Sequence, residues 1–337
     1  MKKLLISLVI IVIVVLTAIT GGSYYMLSFS LAPDTARTDT ALCFMQLAEK
    51  HPEVSSWLDS LKANNALRDT FVNMPRGERH HAYFIRHEDK RPVAIVLHGW
   101  RDCAIDFMHI GRIYEQMGFN VLMPDLHAHG LSEGDVIEMG WKERHDVMHW
   151  INVASKLFDT NDFVVHGVSM GAATAMNLSG EKMPACVENI RFVEDCGYTS
   201  VWDEFSYKLK EQFSLPPFPL MYTTSLLCKL RYGWSFGEAA PIEQVKRCRY
   251  PMLFIHGGSD TFVPSRMVHP LYQAKQGEKE LWIAKGSEHA ESYTDHIDDY
   301  VKHIRDFCFS GHKTDSVSSR EQHRNSPSVW PGQATDE

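Results

Sequence analysis

Between Lys3 and Asp34 the chain carries no charged side chain, and nowhere in its 337 residues is there an extended block of basic ones. The first absence allows a helix long enough to cross a bilayer. The second removes the electrostatic footprint of a nucleic-acid binder, since 34 Lys and Arg stand against 42 Asp and Glu for a net charge of -8. The seven cysteines, at 43, 103, 186, 196, 228, 248 and 308, form no CxxC pair, show no metal-ligand spacing and are odd in number. No disulfide framework can be read from them. Buried free thiols are expected for most, and one or two bridges stay open for an oxidising compartment. From Gly311 onward there is almost no apolar pattern, so residues 311–337 are expected to be a disordered tail.

With 44% apolar and 23% charged residues, the remainder is long enough to bury one large core. Leu4 to Ile19 reads LLISLVIIVIVVLTAI, and residues 1–31 are taken as a transmembrane signal anchor. A cleaved signal peptide is the rival, although Ala18-Ile19-Thr20 is a poor small-x-small exit. Lys2 and Lys3 precede the span and Asp34 and Asp39 follow it, which keeps the N-terminus cytoplasmic and sets the rest outside. Residues 32–68 read as a linker of two short helices. DTFVNM and HHAYFIRH around Pro75 to Glu78 read as an antiparallel hairpin.

From Pro92 the pattern changes to short apolar runs: VAIVL, NVLMP, DFVVH, IRFVE, MLFIH and LWIA. Runs apolar on both faces and alternating with helical stretches are what a buried parallel sheet requires. The stretches between them have a helical period, with Val147, Trp150, Ile151, Ala154, Leu157 and Phe158 on one face and Tyr293, Ile297, Tyr300, Val301, Ile304 and Cys308 on another. The expected fold is α/β, a mostly parallel doubly wound sheet led by an antiparallel hairpin over residues 69–310. Ligands of such sheets sit at the carboxyl ends of the strands.

Gly167-Val168-Ser169-Met170-Gly171 follows one such strand and opens a helix, which puts Ser169 on a tight turn that larger neighbours at 167 and 171 would block. A serine hydroxyl needs a base held by a carboxylate, and Asp260 in HGGSDTFVP and His289 in KGSEHAES each follow a strand end. Asp195, at the end of IRFVE, is the competing carboxylate. Acyl transfer also needs donors for an oxyanion. The N–H groups of Met170 and of Trp100 in His98-Gly99-Trp100 are the candidates, with His98 as a support for that loop. His127-Ala128-His129 lacks a third metal ligand at a convincing spacing, so neither metal nor cofactor is expected.

These motifs resemble the α/β-hydrolase superfamily, and within it the serine-aminopeptidase-like hydrolases of prolyl-oligopeptidase and esterase type. The resemblance is carried by HGW, DLHAHGLS, GVSMG, GGSDTFVP and GSEH, and runs from about Asp69 to Phe309. It implies a Ser169-Asp260-His289 triad and hydrolysis of an ester, thioester or amide. The chain departs from the pattern at His127-Ala128, where relatives often have Arg-Gly. An insertion over residues 199–240 implies a small helical lid, centred on Leu215 to Phe236, whose Leu, Met and aromatic content suits an apolar acyl or aryl group. A carboxylester or thioester hydrolase is the favoured reading. An aminopeptidase would need an acidic pocket, for which Glu204 or Glu211 is a candidate, and a catalytically silent membrane-associated domain is the third reading. The expected partners are a small acyl or peptide substrate and the membrane; oligomeric state is not read.

Overall fold

The computed structural model describes residues 1–310, so the expected tail at 311–337 lies outside the described residues. Eight strands form one sheet in the order β1-β2-β4-β3-β5-β6-β7-β8. They are β1 Leu67–Asn73, β2 Arg79–Ile85, β3 Val93–Leu97, β4 Asn120–Pro124, β5 Asp162–Val168, β6 Asn189–Asp195, β7 Met252–Gly257 and β8 Lys279–Ala284. The first two are the antiparallel hairpin, Thr70 facing Ala82, and β2 is also antiparallel to β4. All later pairings are parallel.

Side chains of a strand alternate between the two faces of a sheet, and the core divides accordingly. Val93, Ile95 and Leu97 of β3 belong to one apolar cluster, whereas Ala94 and Val96 belong to the other. The first cluster is closed by α5 Glu143–Phe158, α6 Met170–Ser179, α7 Val201–Phe213, α8 Leu220–Tyr232, α9 Pro241–Val245 and α10 Val268–Ala274. The second is closed by α2 Thr40–Lys50, α3 Ser55–Ala63, α4 Met108–Gln116, α11 Ser292–Asp295 and α12 Ile297–Phe309. The two short helices before the hairpin pack on the domain: Cys43, Leu47, Leu58 and Leu61 are buried in that second cluster. Of the apolar face anticipated at 293–308, Tyr293, Tyr300, Ile304 and Cys308 are buried, but Ile297 opens α12 at its exposed end. All seven cysteines are free thiols.

The N-terminal helix α1 runs unbroken over Lys2–Leu31. It is the one helix among the described residues long and apolar enough to cross a membrane, with a mean hydropathy of 3.0 in a window that nothing buries. Its character changes along its length. The large side chains from Leu4 to Leu16 are exposed, whereas Ser23, Leu27 and Leu31 are buried against the globular part.

Strand order also locates the site. From β3 the chain moves outward to β4, then returns past β3 to β5, so β3 and β5 are neighbours whose connections diverge. The crevice beyond their carboxyl ends is where ligands of open α/β sheets bind. Trp100 lies just past β3 and Ser169 just past β5.

Candidate active site

Ser169 occupies the turn between β5 and α6 with φ 56° and ψ -116°, a region costly for a residue with a side chain. Packing enforces it. A Cβ on Gly167 would overlap the Gly171 carbonyl, and one on Gly171 would overlap the Leu97 carbonyl of β3. Backbone bonds from Ser169 N–H to the Asp195 carbonyl at 2.8 Å and from Ala173 N–H to the Ser169 carbonyl at 3.0 Å hold the turn.

The three residues singled out in the sequence meet here. Ser169 Oγ lies 2.8 Å from His289 Nε2, and His289 Nδ1 lies 2.7 Å from Asp260 Oδ2. The carboxylate accepts only, so Nδ1 carries its proton toward Asp260, leaving Nε2 to accept from the serine hydroxyl. The other oxygen, Asp260 Oδ1, accepts from the N–H groups of Phe262 and Val263 at 2.9 Å each. His256, buried at the end of β7, places Nε2 2.9 Å from the Val263 carbonyl and 3.3 Å from Asp260 Oδ2. Burial works against a charge on Asp260, but hydrogen bonds from His256 and His289 prevail and bring its pKa down to about 2. His256 was not anticipated; its place four residues before Asp260, at a strand end, was the available signal.

Asp195 does not join this chain. Its Oδ2 accepts from Tyr300 OH at 2.8 Å, and burial raises its pKa to about 7 against that bond. His98 braces the loop it belongs to: Nδ1 faces the Gly99 carbonyl at 2.8 Å and Nε2 accepts from Leu126 N–H at 2.9 Å. His129 Nε2 accepts from Arg101 N–H at 3.2 Å, so two imidazoles tie the loop after β3 to the loop after β4. The departure at 127–128 is accommodated with strain, because Ala128 sits at φ 61° where a glycine would be at ease.

Trp100 and Met170 both border the cavity over Ser169, Met170 as the first residue of α6, where helical N–H groups lack intrahelical acceptors. The cavity holds 710 Å³ of empty space, part of it open to solvent, and its walls include Met139, Tyr198, Phe205 and Phe262. Residues 199–240 fold as α7 and α8, but the part that reaches the cavity is α7, through Glu204, Phe205, Lys208, Gln212 and Phe213. The segment anticipated over Leu215 to Phe236 contributes no wall residue, and its helix α8 packs on α1. In front, Met26, Phe29 and Ser30 of α1 complete the wall.

Glu204 and Glu211 part company. Glu211 is half-exposed and pairs with Lys208 at 2.8 Å. Glu204 is not on a solvated face: it is 4% exposed, and neither carboxylate oxygen has a hydrogen-bond partner among the described residues. Burial raises its pKa to about 8, Asp260 adding to the shift and Lys208 and Arg266 opposing it. The sign for stability follows from linkage. The folded state holds this proton far above the ordinary glutamate range near 4.5, so the contribution is full below that range and is lost as pH rises toward 8. Glu204→Gln is therefore expected to melt within about 1 °C of wild type at pH 4.5 and at least about 3 °C higher at pH 8. Calorimetry across that range checks it, and a pH-independent difference would contradict it.

Three sets of side chains among the described residues bring metal-ligating atoms within 4.8 Å of one another. Cys196, Asp260 and His289 include two of the hydrogen-bonded residues beside Ser169. Cys43, Cys103 and Asp106 offer thiols whose pKa burial pushes up, which keeps them protonated. Glu78, His80 and His127 have neutral imidazoles, burial lowering each to about 3, but Arg76 Nε stands 3.7 Å from the same Glu78 oxygen and opposes a cation. His127 and His129 face different partners and do not form a joint pair of ligands.

No family model matches the chain. YqkD of Bacillus subtilis strain 168, an uncharacterized protein, is 29% identical over 214 residues, which is 63% of this chain and 69% of YqkD. Among solved structures, the Pyrococcus furiosus esterase Pf2001 superposes with a TM-score of 0.59 at 20% identity, covering 73% of this chain and 93% of the esterase. An acylaminoacyl peptidase of Pyrococcus horikoshii superposes with a TM-score of 0.55 at 13% identity, over 74% of this chain and 43% of the peptidase. The chain has the α/β-hydrolase fold.

Proposed function

We propose that this chain is a serine hydrolase that cleaves a carboxylic ester or thioester through an acyl-enzyme intermediate. The observation that carries the reading is the continuous hydrogen-bonded series Ser169-His289-Asp260, with distances of 2.8 and 2.7 Å, at the floor of an apolar cavity. In this reading His289 takes the Ser169 proton as Oγ bonds to the carbonyl carbon, then delivers it to the departing alcohol or thiol. Water, deprotonated by the same imidazole, releases the acid and restores Ser169. The N–H groups of Trp100 and Met170 receive the oxyanion. Asp260 stabilises the imidazolium, and its low pKa keeps it ionised for that task. The esterase and the peptidase that share the fold support hydrolysis as the reaction class.

An aminopeptidase-like activity is the second reading, and Glu204 bears on it directly. A carboxyl that is neutral below about pH 8, with Lys208 on the same wall, is a poor receptor for a substrate ammonium. This favours the ester. We further take α1 as a membrane anchor with the catalytic part, residues 69–310, on the outer side, secretion after cleavage being the alternative.

A fluorophosphonate probe tests the proposal. The full-length protein is expected to be labelled at Ser169 and to hydrolyse p-nitrophenyl butyrate faster than aminoacyl anilides, with Ser169→Ala losing both labelling and turnover. Labelling that persists in Ser169→Ala, or none in wild type, would overturn it.

A further inference from the structure

We propose that the acyl group comes out of the membrane itself: the substrate is a fatty acyl ester of a membrane lipid, and α8 lies in the outer leaflet beside the entrance. The proposal rests on the serine-hydrolase reading above and names its substrate class.

The first observation is the continuity of α1. A hydrocarbon core of roughly 30 Å takes about 20 residues at 1.5 Å each, so a span starting at Leu4 leaves the core near Ser23. At that level α1 meets α8. Ser23 Oγ and Thr223 Oγ1 are 2.6 Å apart, and the Arg231 guanidinium lies 5.7 Å from the ring of Tyr24. One turn further, Met26, Phe29 and Ser30 are already wall of the cavity that contains Ser169. No flexible linker intervenes. The end of the helix is tied to the loop after β3 by Trp100 Nε1 donating to the Ser30 carbonyl at 2.9 Å, and by Arg101 donating to the carbonyls of Phe29 and Ala32 at 2.8 and 3.0 Å. A cavity held this rigidly to a bilayer span sits within the headgroup layer.

The second observation is the outer face of α8 and of the segment leading into it. Phe218, Tyr222, Leu226 and Leu230 recur every four residues and are 73, 58, 58 and 77% exposed. They form one exposed apolar stripe, which Trp202 meets edge-on at Tyr222 with ring centroids 4.9 Å apart. Arg231 flanks its end, as suits anionic headgroups, whereas Lys229 is paired with Glu238 at 2.7 Å. Because α8 packs on α1 where the span leaves the core, the medium that α1 demands is the medium that this stripe meets. The third is the rim: Phe29, Phe213 and Phe262 line the cavity and are each about two-fifths exposed, an apolar entrance on the same side as α1 and α7.

The chemistry balances as ester hydrolysis. The bond from the acyl carbon to Ser169 Oγ forms as the bond to the lipid alcohol oxygen breaks, that oxygen takes the serine proton through His289, and water then frees the fatty acid.

The test uses full-length protein reconstituted in vesicles of phosphatidylcholine and phosphatidylglycerol containing dioleoylglycerol, with p-nitrophenyl butyrate as a soluble ester. Fatty acid release above the Ser169→Ala background is expected. A Leu226→Asp, Leu230→Asp double variant is expected to keep butyrate turnover within about twofold while oleate release falls about tenfold or more. Melting by circular dichroism verifies that it is folded, and Tyr222→Ser replaces it if it is not. Butyrate cleavage without oleate release overturns the lipid substrate and leaves the hydrolase standing. Equal oleate release by variant and wild type overturns the seating of α8. Loss of fluorophosphonate labelling and of both ester activities in wild type removes the underlying reading, and this one with it.

Discussion

Asp260→Asn is expected to lower kcat/KM for p-nitrophenyl butyrate by about 10⁴-fold, while Asp195→Asn changes it by less than about tenfold. Both carboxylates are buried, Asp195 as the last residue of β6 and Asp260 in the loop after β7, so burial at a strand end does not separate them. Their partners do. Asp260 faces His289 Nδ1 at 2.7 Å and is held ionised by two imidazoles, whereas Asp195 is bound by Tyr300 and raised by burial to about 7. Asn at 260 removes the charge that would stabilise the imidazolium and presents an amide that favours the wrong tautomer of His289. Asn at 195 keeps a hydrogen bond with Tyr300. Combining Asp260→Asn with Ser169→Ala is expected to cost little beyond Ser169→Ala alone, because residues that act as a unit are not additive. Steady-state kinetics on the three single variants and the double decide it; comparable losses at 195 and 260 would put the acid elsewhere.

Local chemistry accounts for what was legible in the sequence. Short runs such as VAIVL and MLFIH are apolar on both faces, which only a covered parallel sheet tolerates, and these two are buried strands, whereas LWIA forms the partly exposed edge strand β8. The glycines at 167 and 171 flag a turn that nothing larger can make. Contacts between distant segments were the hidden part. His256 reads as another strand residue until the turn after β7 folds Asp260 back beside it. Glu204 reads as solvated because acidic residues on helices usually are, and only the packing of α7 over the cavity shows otherwise. The apolar run at the N-terminus was legible as a helix long enough to cross a bilayer, but its second role was not: Met26 and Phe29 look like more of the same hydrophobic helix, and their place beside Ser169 depends on where β3 and β5 deliver their loops.

That second role leads to a difference between two truncations. Removing residues 1–20 is expected to yield a soluble protein within about threefold of the full-length kcat/KM for p-nitrophenyl butyrate, because the side chains lost are nearly all exposed and none lines the cavity. Removing residues 1–31 is expected to cost about 10²-fold or more. Leu27 and Leu31 are 2 and 1% exposed, and burial of each contributes roughly 1.5–3 kcal/mol, so the last turns of α1 are a firm part of the globular unit. Their loss also takes the Leu31 carbonyl from Ile137 N–H at 2.9 Å, the Ser30 carbonyl from the Trp100 indole and the Phe29 carbonyl from the Arg101 guanidinium, which hold the loop after β3. That loop supplies one of the two proposed oxyanion donors, for which a displacement of about 1 Å is enough to weaken catalysis by that factor. The shorter protein should still bind a fluorophosphonate, only more slowly, since Ser169, His289 and Asp260 are held from the other side of the sheet edge by β5, β7 and β8. If both truncated proteins turn over the ester equally, α1 is a tether and the wall it forms is dispensable.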